Sequence, residues 1–410
     1  MRTLIVVNTF PLLSQTFIVS QITGLMDLGV DVRILAWKDS GEDKVHEDVT
    51  KYGLLDRVTY AGEVIRSRPR RVVSAMKQTL GLATQSPAAA IRCWNGSKYG
   101  RGAWLGGLVP VADAMKRVGP VDLVHAHFGP VGERMAKLRS AGVFTAPLLV
   151  TFHGYGATRQ DLYSNPNSYK NLFPQARMIM TVSEFLKNRV VSMGADADKT
   201  LVHHVGIDTQ RFDFRARQKI EGQPFRMITV ARLAPKKGLP DAIMAVQKLR
   251  ARLPDVKYDI IGDGPGRDEL EKLIAQHGLQ SAVSLLGWKS QDEVSAALDR
   301  ADVFLTPSVV APDGDMEGIP TGIMEASARG LPIVSTLHSG IPEIVSDGES
   351  GYLVPEHDPE ALADRLHRLA TEPETWAVMG RAGRAIVEEQ FDTAKLNAKA
   401  LEHYRTAVGM

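Results

Sequence analysis

Two glutamates, Glu317 and Glu325, flank a Gly-Ile-Pro step in the stretch Gly-Asp-Met-Glu-Gly-Ile-Pro-Thr-Gly-Ile-Met-Glu-Ala-Ser-Ala-Arg-Gly. Pro320 is tolerated in a first helical turn, so a helix is predicted to begin near Gly318 to Pro320. The free N–H groups of Gly318 and Ile319 would then form an anion site. The helix dipole explains an acid at Glu317 but not at Glu325, whose carboxylate is better suited to accept from hydroxyls such as a ribose diol.

Two cations follow the predicted first strand of the second half of the chain. Arg232 stands at the strand end, and Lys237 stands just before a helix predicted to begin near Leu239. A guanidinium and an ammonium one loop apart suit a diphosphate, through bidentate and point-charge contacts respectively. If a sugar diphosphate binds here, cations and amides would hold its phosphates and carboxylates its hydroxyls. The alternative is a pair of basic surface residues.

Two further stretches follow predicted strands. Gly262-Asp-Gly264-Pro-Gly has the spacing Gly-x-Gly-x-Gly, which argues against a nicotinamide cofactor and is also common in tight turns. His153 ends a strand of the first half and could face a cleft, where it would contact a developing charge or a sugar hydroxyl; a structural histidine is the alternative. His125 and His127 share one strand face, so metal binding must be weighed, but packing or lining of the cleft is favoured.

Two shorter motifs are also candidates for binding. Asp313-Gly-Asp315 resembles a metal-binding Asp-x-Asp, but it precedes the Glu317 stretch instead of ending a strand, so we interpret it as loop chemistry. Ser14-Gln15-Thr16 opens the first helix, and its amides could meet donor or acceptor across a cleft. The sequence contains neither a Ser-His-Asp order nor a Gly-x-Ser-x-Gly elbow.

These residues need two sheets to position them. Short β-branched runs alternate with segments of helical period, which predicts parallel sheets with crossover helices and therefore an α/β fold of two doubly wound, Rossmann-like domains. In such proteins ligands gather at the carboxyl ends of the strands. The predicted strands are Thr3–Asn8, Asp31–Trp37, Asp122–His127, Leu148–Phe152, Met178–Val182, Thr200–Val205, Arg226–Ala231, Lys257–Ile261, Val283–Leu286, Val303–Thr306 and Pro332–Ser335.

The chain of 410 residues is predicted to divide into two large domains. An N-terminal domain covers 1–208, a polar linker without periodicity covers 209–224, and a C-terminal domain covers 225–390. The remaining 391–410 include a helix from Thr393 to about Val408 that could pack on either domain and could cross back to the N-terminal one.

Composition excludes several classes of protein. A net charge of +2 does not call for a nucleic-acid partner, and a single cysteine, Cys93, excludes an intramolecular disulfide framework and a Cys-based zinc site. The first apolar run, Thr3 to Val7, is shorter than the core of a secretory signal, and no run approaches the ~20 residues of a membrane span. A cytoplasmic protein is expected.

Residues 66–117 form a basic block with ten Lys or Arg and one acid, Asp113, among which Trp94, Trp104 and Leu105 are interspersed. One interpretation is a solvated helical insertion whose charges meet acids elsewhere in the fold. The other is a surface for anionic lipid head groups, to which each basic residue contributes ~1 kcal/mol.

The combination of Glu317-Gly-Ile-Pro, Glu325, Arg232, Lys237-Gly and Gly206-Ile-Asp resembles the large family 4 of retaining glycosyltransferases with the GT-B fold. The likeness covers nearly the whole chain. Two stretches look like the branch that builds colanic-acid-type exopolysaccharide. They are Thr-Phe-Pro-Leu-Leu-Ser-Gln-Thr-Phe-Ile at 9–18 and Gly-Leu-Pro-Ile-Val-Ser-Thr-Leu-His-Ser-Gly-Ile-Pro-Glu at 330–343.

The resemblance implies roles for the donor side. Arg232 and Lys237 would neutralise the departing nucleoside diphosphate, Glu325 would hold the ribose, and Glu317 would bind the donor sugar with the amides beside it. Three further positions carry implied donor contacts. They are His153 near the donor sugar, Gly287-Trp288 near the base, and Gly318-Ile319-Pro320 at the phosphates and sugar. Such enzymes need no metal, because basic residues and amides stabilise the leaving group.

The resulting hypothesis is a cytoplasmic, peripherally membrane-bound enzyme. It would move a hexosyl unit with retention from a UDP-sugar to a polyprenyl-diphosphate-linked or other saccharide acceptor, using no cofactor, with residues 66–117 contacting an anionic membrane surface. Two alternatives remain: a GT-B-fold epimerase acting on the UDP-sugar alone, and a catalytically silent partner in a polysaccharide assembly complex.

Overall fold

The computed structural model describes residues 1–12, 15–42, 45–62, 67–84 and 86–410, apart from the side chains of residues 68, 69 and 71. Their secondary structure alternates between short strands and longer helices. The strands are β1 (Arg2–Phe10), β2 (Asp31–Asp39), β3 (Val58–Tyr60), β4 (Leu123–His127), β5 (Leu148–Phe152), β6 (Ala176–Thr181), β7 (Thr200–Val202), β8 (Phe225–Val230), β9 (Val256–Ile261), β10 (Val283–Gly287), β11 (Val303–Thr306), β12 (Ile333–Thr336) and β13 (Gly351–Val354).

Helices follow most strands and connect them as crossovers. They are α1 (Thr16–Asp27), α2 (Glu47–Lys51), α3 (Arg68–Ala83), α4 (Pro87–Arg92), α5 (Gly96–Tyr99), α6 (Arg101–Trp104), α7 (Val109–Val118), α8 (Gly129–Ala141), α9 (Tyr155–Thr158), α10 (Gln160–Tyr163), α11 (Leu172–Gln175), α12 (Glu184–Ser192), α13 (Leu239–Arg252), α14 (Arg267–Gln276), α15 (Gln291–Arg300), α16 (Thr321–Ala328), α17 (Pro359–Thr371), α18 (Trp376–Gln390) and α19 (Thr393–Val408). Within the described ranges, none is long and apolar enough to cross a bilayer.

The first sheet has seven described strands in the order β3-β2-β1-β4-β5-β6-β7, and all its pairings are parallel. Its interior strand β1 is apolar on both faces, because helices cover both sides of a doubly wound sheet. Leu4 and Val6 pack into one core and Ile5 and Val7 into the other. The sequence prediction of a Rossmann-like first domain is therefore confirmed.

The second sheet has six described strands in the order β10-β9-β8-β11-β12-β13, again all parallel. The order reverses between β8 and β11, which makes the space beyond the carboxyl ends of those two strands a topological switch point. The loop after β8 carries Arg232 and Lys237, and the loop after β11 leads to Glu317. The fold thus brings these side chains to one edge, as the prediction of two doubly wound α/β domains requires.

The segment between the two sheets packs on the second domain instead of forming a free tether. Arg217, inside the predicted linker, is buried and donates from its guanidinium to the carbonyls of Asp299 and Ala301. Arg384 of α18 donates to the carbonyls of Phe212 and Thr209. Hydrogen bonds from these two arginines explain why the segment is polar yet ordered.

The last helix, α19, crosses back to the first domain and packs against α1. Asn397 fills the space beside Gly24 so tightly that a β-carbon on that glycine would lie 1.9 Å from the Asn397 Nδ2 atom. Further along α19, the buried Tyr404 hydroxyl lies 2.5 Å from the Nδ1 atom of His125 on β4. The chain therefore ends as part of the first domain's core.

Candidate active site

The cations of the second domain are seated by a turn that requires glycine. After β8, a 3-10 turn at Pro235–Lys237 leads through Gly238 into α13, which begins at Leu239 as predicted. Gly238 has φ +61°, and a β-carbon on it would lie 1.8 Å from the Pro307 carbonyl oxygen. A side chain would therefore push this turn away from the loop that follows β11. Lys237 depends on that close approach for its position.

The carboxylate of Glu317 is buried and faces two ammonium groups. Its Oε1 atom lies 3.1 Å from the Lys237 Nζ atom and 3.7 Å from that of Lys236, which in turn lies 3.0 Å from an Asp315 carboxylate oxygen. Burial opposes ionisation of Glu317, but the two ammonium groups outweigh it and lower its pKa. The lysines are thus held in place by acids before any phosphate arrives.

Arg232 differs from the lysines in being exposed. Its guanidinium makes no ion pair or hydrogen bond within the part of the chain that the structure describes. A free, exposed guanidinium at the carboxyl edge of β8 is available to a ligand in the cleft.

The helix after Glu317 begins later than predicted. The sequence placed its start near Gly318 to Pro320, whereas α16 begins at Thr321 with Pro320 as its N-cap. Gly318 and Ile319 therefore belong to the preceding loop and not to the first turn, because Pro320 adopts an extended ψ of 122°. Their amide N–H groups have no acceptor among the described residues. They remain available to an anion, although not as helix amides.

Glu325 lies in the second turn of α16 and is half-buried. Desolvation raises the pKa of its carboxyl to about 7, and the nearby Arg329 only partly offsets this. The carboxylate has no hydrogen-bond or ion-pair partner among the described side chains. A desolvated acceptor without a partner is the state expected of a group that a hydroxyl ligand completes.

The glycine-rich turn after β9 packs on the Arg232 loop. A β-carbon on Gly262 would lie 1.9 Å from the Ala231 carbonyl oxygen, and one on Gly264 would lie 2.7 Å from that of Leu233. The Gly262 amide also donates to the Gly287 carbonyl, 2.9 Å away, next to the exposed Trp288. These glycines therefore support the cation loop by close packing, and the Gly287–Trp288 step lies at the same edge of the sheet.

His153 faces the second domain across the cleft. The next residue, Gly154, has φ +133°, and a β-carbon there would lie 3.1 Å from the Met316 carbonyl oxygen. The His153 Nε2 atom lies 3.0 Å from the His127 Nδ1 atom, and the ring of Phe17 packs on its imidazole. Burial, with a smaller contribution from His127, holds the pKa of His153 well below its ordinary value. His153 is therefore neutral and able to exchange a hydrogen bond.

The two histidines of β4 are engaged with protein groups. His125 lies between the Tyr404 hydroxyl and the Thr151 hydroxyl, at 2.5 and 2.7 Å, and His127 pairs with His153. Burial lowers the pKa of His127 to about 3. In the described part of the chain no three His, Cys, Asp or Glu side chains are grouped so as to hold a metal ion.

The predicted acceptor residues are only partly described. Ser14 lies outside the described residues. Gln15 precedes α1 without a side-chain capping bond, and Thr16 is the first residue of that helix. Phe17, the next residue, is the one that contacts the His153 ring, so the start of α1 does reach the cleft.

Several cleft residues escaped the sequence analysis. Asp315, interpreted from sequence as a loop residue, bridges the domains by accepting from the Thr158 hydroxyl at 3.3 Å while binding Lys236. The Ser339 hydroxyl donates to the Glu317 carbonyl at 2.6 Å. His338 accepts from the Glu317 amide at 3.1 Å. The only sequence signal for His338 and Ser339 was that they are adjacent in the stretch that follows β12.

Comparison with known proteins assigns both halves of the chain to glycosyltransferase families. Residues 14–211 match the family described as Glycosyltransferase Family 4, and residues 210–386 match Glycosyl transferases group 1. WcaL of Salmonella typhimurium, whose name describes a colanic acid biosynthesis glycosyltransferase, is 39% identical over 359 residues, which is 87% of each chain. The amylovoran biosynthesis glycosyltransferase AmsK of Erwinia amylovora is 34% identical over 93% of this chain and 94% of its own.

Solved structures agree in fold. The Anabaena protein HepE, crystallised in complex with UDP, superposes with a TM-score of 0.73 at 18% identity, covering 99% of this chain and all of HepE. The predicted resemblance is thus confirmed by sequence over both domains and by structure over the whole chain. The chain belongs to family 4 of the glycosyltransferases and has their two-domain GT-B fold.

Proposed function

We propose that this protein transfers a hexosyl unit from a UDP-sugar to a lipid-linked saccharide with retention of anomeric configuration. The observation that carries the proposal is the division of charge at the carboxyl edge of the second sheet. Lys237 and the exposed Arg232 supply cations there, Gly318 and Ile319 supply free amides, and Glu325 supplies an unpartnered carboxylate. Cations and amides suit a diphosphate, and a carboxylate suits hydroxyls.

In the proposed reaction, the bond between the sugar anomeric carbon and the β-phosphate oxygen breaks, and the acceptor hydroxyl oxygen bonds to that carbon on the same face. A donor phosphate oxygen takes the hydroxyl proton and leaves with UDP. Negative charge grows on the diphosphate as the bond breaks, so Arg232, Lys237 and the two amides stabilise the transition state more than the ground state. These groups replace a metal ion in the proposal, and transfer is expected to continue in excess chelator.

Sugar contacts are proposed for Glu317 and His153. Both lie at the point where the first domain meets the second, since the Gly318 loop contacts the main chain of His153. A neutral His153 can donate to or accept from a sugar hydroxyl or a developing charge. The Glu325 carboxylate would accept from the ribose, with Trp288 at the mouth of the cleft near the base.

The names of the relatives support the choice of pathway. WcaL and AmsK are named for biosynthesis of colanic acid and amylovoran, and HepE was crystallised with UDP. We therefore propose a role in exopolysaccharide or other cell-surface polysaccharide biosynthesis, with a polyprenyl-diphosphate-linked or other saccharide acceptor.

Association with the cytoplasmic face of the membrane is part of the proposal. On α3, Val73, Met76 and Leu80 are 55%, 56% and 73% exposed, at the i, i+3, i+7 spacing of one helix face. Arg70 and Lys77 are exposed beside that stripe. An apolar stripe bordered by cations suits the interface of an anionic bilayer.

Among the side chains of the basic block that the structure describes, most cations form no ion pair. Among its described side chains, the one ion pair joins Arg117 to Asp113, at 3.4 Å. The interpretation of a solvated insertion paired to distant acids therefore has little support, which favours the lipid surface.

The test is a screen of UDP-, GDP- and ADP-sugars by thermal shift, followed by nucleotide release with and without acceptor. A ligand at 100 times its dissociation constant adds ~2.7 kcal/mol of stability. Stabilisation by a UDP-sugar and acceptor-dependent UDP release are expected. Product formed from the UDP-sugar alone would point to an epimerase, and binding without turnover would point to a silent partner.

A further inference from the structure

Three consecutive residues after β12 form hydrogen bonds with the main chain at Glu317 and Gly318. The Glu317 amide donates to the His338 Nε2 atom at 3.1 Å, the Ser339 hydroxyl donates to the Glu317 carbonyl at 2.6 Å, and the Gly340 amide donates to the Gly318 carbonyl at 3.3 Å. These bonds fix three successive peptide units, from Met316–Glu317 to Gly318–Ile319. The last two of these units carry the free N–H groups of Gly318 and Ile319.

The hydrogen bonds define the protonation state of His338. A backbone amide can only donate, so the His338 Nε2 atom must carry a lone pair. The ring proton therefore resides on Nδ1, which lies 2.7 Å from the Glu356 Oε1 atom. His338 is completely buried, and a second ring proton would set two N–H groups against each other. Glu356 thus selects the tautomer that can accept from the Glu317 amide.

Glu356 also reaches the loop that supports the cations. Its Oε2 atom accepts from the Val310 amide at 2.8 Å, and the neighbouring Val309 amide donates to the Lys236 carbonyl at 2.9 Å. Lys236 in turn faces the Glu317 carboxylate. The contacts form a closed ring from Glu356 through His338 and Glu317 to Lys236 and back.

We propose that His338, held by Glu356, is a positioning residue that sets the Glu317–Ile319 main chain so that its free amides meet the donor diphosphate. This inference rests on the proposed function, because it presumes a diphosphate at those amides. His338 acts through the main chain and touches neither phosphate nor sugar. A buried histidine with a purely structural role would stabilise the fold without changing affinity for the nucleotide.

The decisive variants are His338→Leu and His338→Gln, with UDP as the probe in calorimetry. Leucine fills the space but offers no acceptor, so the dissociation constant for UDP is expected to rise about tenfold, the equivalent of one lost hydrogen bond. The glutamine side-chain oxygen can take the place of the Nε2 atom, so His338→Gln is expected to recover affinity to within about threefold of wild type. The donor KM should follow the same order.

Glu356→Gln tests the second half of the inference without a change of shape. The Val310 amide and the His338 ring contact different oxygens of Glu356, and an amide presents an oxygen at only one of these two positions, so one of the two hydrogen bonds is lost. We expect UDP affinity to fall about three- to tenfold. Because this substitution is nearly isosteric, it carries the test if His338→Leu does not fold.

The matched control is Asp241→Asn. Asp241 makes the same kind of histidine–carboxylate contact with His357, at 3.0 Å, but on the surface of the same domain. UDP affinity is expected to be unchanged there. If His338→Leu or Glu356→Gln lowers the melting temperature but binds UDP as wild type does, the inference is wrong. If wild-type protein binds no UDP at all, the proposed donor fails instead.

Discussion

Glu317 and Glu325 lie on the same loop-to-helix segment, yet their surroundings drive their ionisation in opposite directions. Glu317 is more buried, but its two lysine neighbours lower its pKa. Glu325 has only the nearby Arg329 to offset desolvation, and its pKa rises to about 7. At neutral pH the first carboxylate is therefore fully charged, whereas the second is close to its titration midpoint. The difference predicts different behaviour on substitution.

Glu325→Gln should stabilise the protein and weaken donor binding. The folded-state pKa of about 7 lies above the ordinary 4.5, so the native state holds a proton that the unfolded chain releases between these values. Stability from this group is therefore present at low pH and lost as pH rises through 7. Above pH 7 we expect the variant to be more stable than wild type by roughly 1–3 kcal/mol in urea unfolding. Near pH 4.5 the difference should vanish.

Over the same titration, wild-type affinity for UDP should fall as pH drops below 7, because a protonated carboxyl is a weaker acceptor than a carboxylate. Glu325→Gln should bind UDP about tenfold more weakly at pH 8 and lack this pH dependence. Glu389→Gln, at an exposed helix position, is the control. Equal stability of Glu325→Gln and wild type at both pH values would contradict the assignment of an unpartnered carboxylate.

The Lys237–Glu317 pair should show strong coupling in a double-mutant cycle. Lys237→Met leaves the buried Glu317 carboxylate with only the more distant Lys236, and we expect roughly 3 kcal/mol of destabilisation in urea unfolding. Glu317→Gln in the same background should restore most of it, because no buried charge remains unpaired. UDP affinity should stay low in Lys237→Met and in the double variant. Additive stability changes would show that the ion pair contributes nothing.

Residue types and spacing predicted the polar groups whose chemistry is local. Arg232 and Lys237 follow β8 and Glu317 follows β11 at one edge of the second sheet, as their positions after strands implied, whereas Glu325 lies in the second turn of α16. His338 could not be found in this way, because its partners Glu317 and Glu356 lie 21 and 18 positions away in opposite directions. Nor does the sequence show that glycine at 262 is needed for packing against Ala231. Such roles arise from contacts between loops that only the folded sheet brings together.

At the scale of elements, hydrophobic period predicted the long strands and the last helix well. It missed β3 and β13, which have three and four residues and lie at the edges of their sheets. Strands of three or four residues carry little pattern, so some are missed, although β7, β11 and β12 of the same length were predicted. The start of α16 was placed one to three residues early, because Pro320 is compatible with an N-cap as well as with a first turn.

The exposed stripe of α3 gives an element-scale prediction. Met76→Glu combined with Leu80→Glu adds two anions to the face proposed to enter the lipid interface, so binding to phosphatidylglycerol vesicles should fall more than tenfold. Cosedimentation at low salt is the measurement. UDP affinity should be unchanged. Ile220→Glu, at an exposed apolar position outside the basic block, should bind vesicles as wild type does. Vesicle binding of the double variant equal to wild type would contradict the assignment of α3.

At the scale of the whole molecule, two domains of similar fold are joined by contacts at several places. Residues 209–224 pack on the second domain. Helix α19, which follows the second domain in the sequence, packs on the first. The sequence predicted two doubly wound sheets and named a return of α19 to the first domain as one possibility, but it did not decide between the domains, since α19 lies beyond the strands and its apolar face fits either core. Tyr404 contacts His125 from a distance of 279 positions. The hydrophobic periodicity of a sequence does not predict contacts between residues so far apart in the chain.

Glu343 is a carboxylate of the second domain that contacts the first domain. It accepts from the Glu184 amide at the N-terminus of α12, with oxygens 2.9 and 3.1 Å away, and contacts the His204 Nε2 atom at 3.1 Å. An anion at a helix N-terminus is favoured by the helix dipole, typically by 0.3–1 kcal/mol. The Glu184 amide and the Glu343 carboxylate belong to different domains. Their interaction therefore favours the closed arrangement of the two domains over an open one.

Glu343→Ala should therefore shift the unliganded protein toward an open form. A loss of about 1 kcal/mol changes a two-state population by roughly fivefold, which is enough to raise the radius of gyration in solution scattering. The donor KM should rise by a similar factor, because binding energy must then close the domains, while saturating UDP should return the scattering curve to that of wild type. Glu349→Ala, whose carboxylate contacts only the Ser346 hydroxyl among the described residues, should leave both unchanged. Identical scattering of Glu343→Ala and wild type without ligand would mean that other contacts between the domains hold the cleft closed.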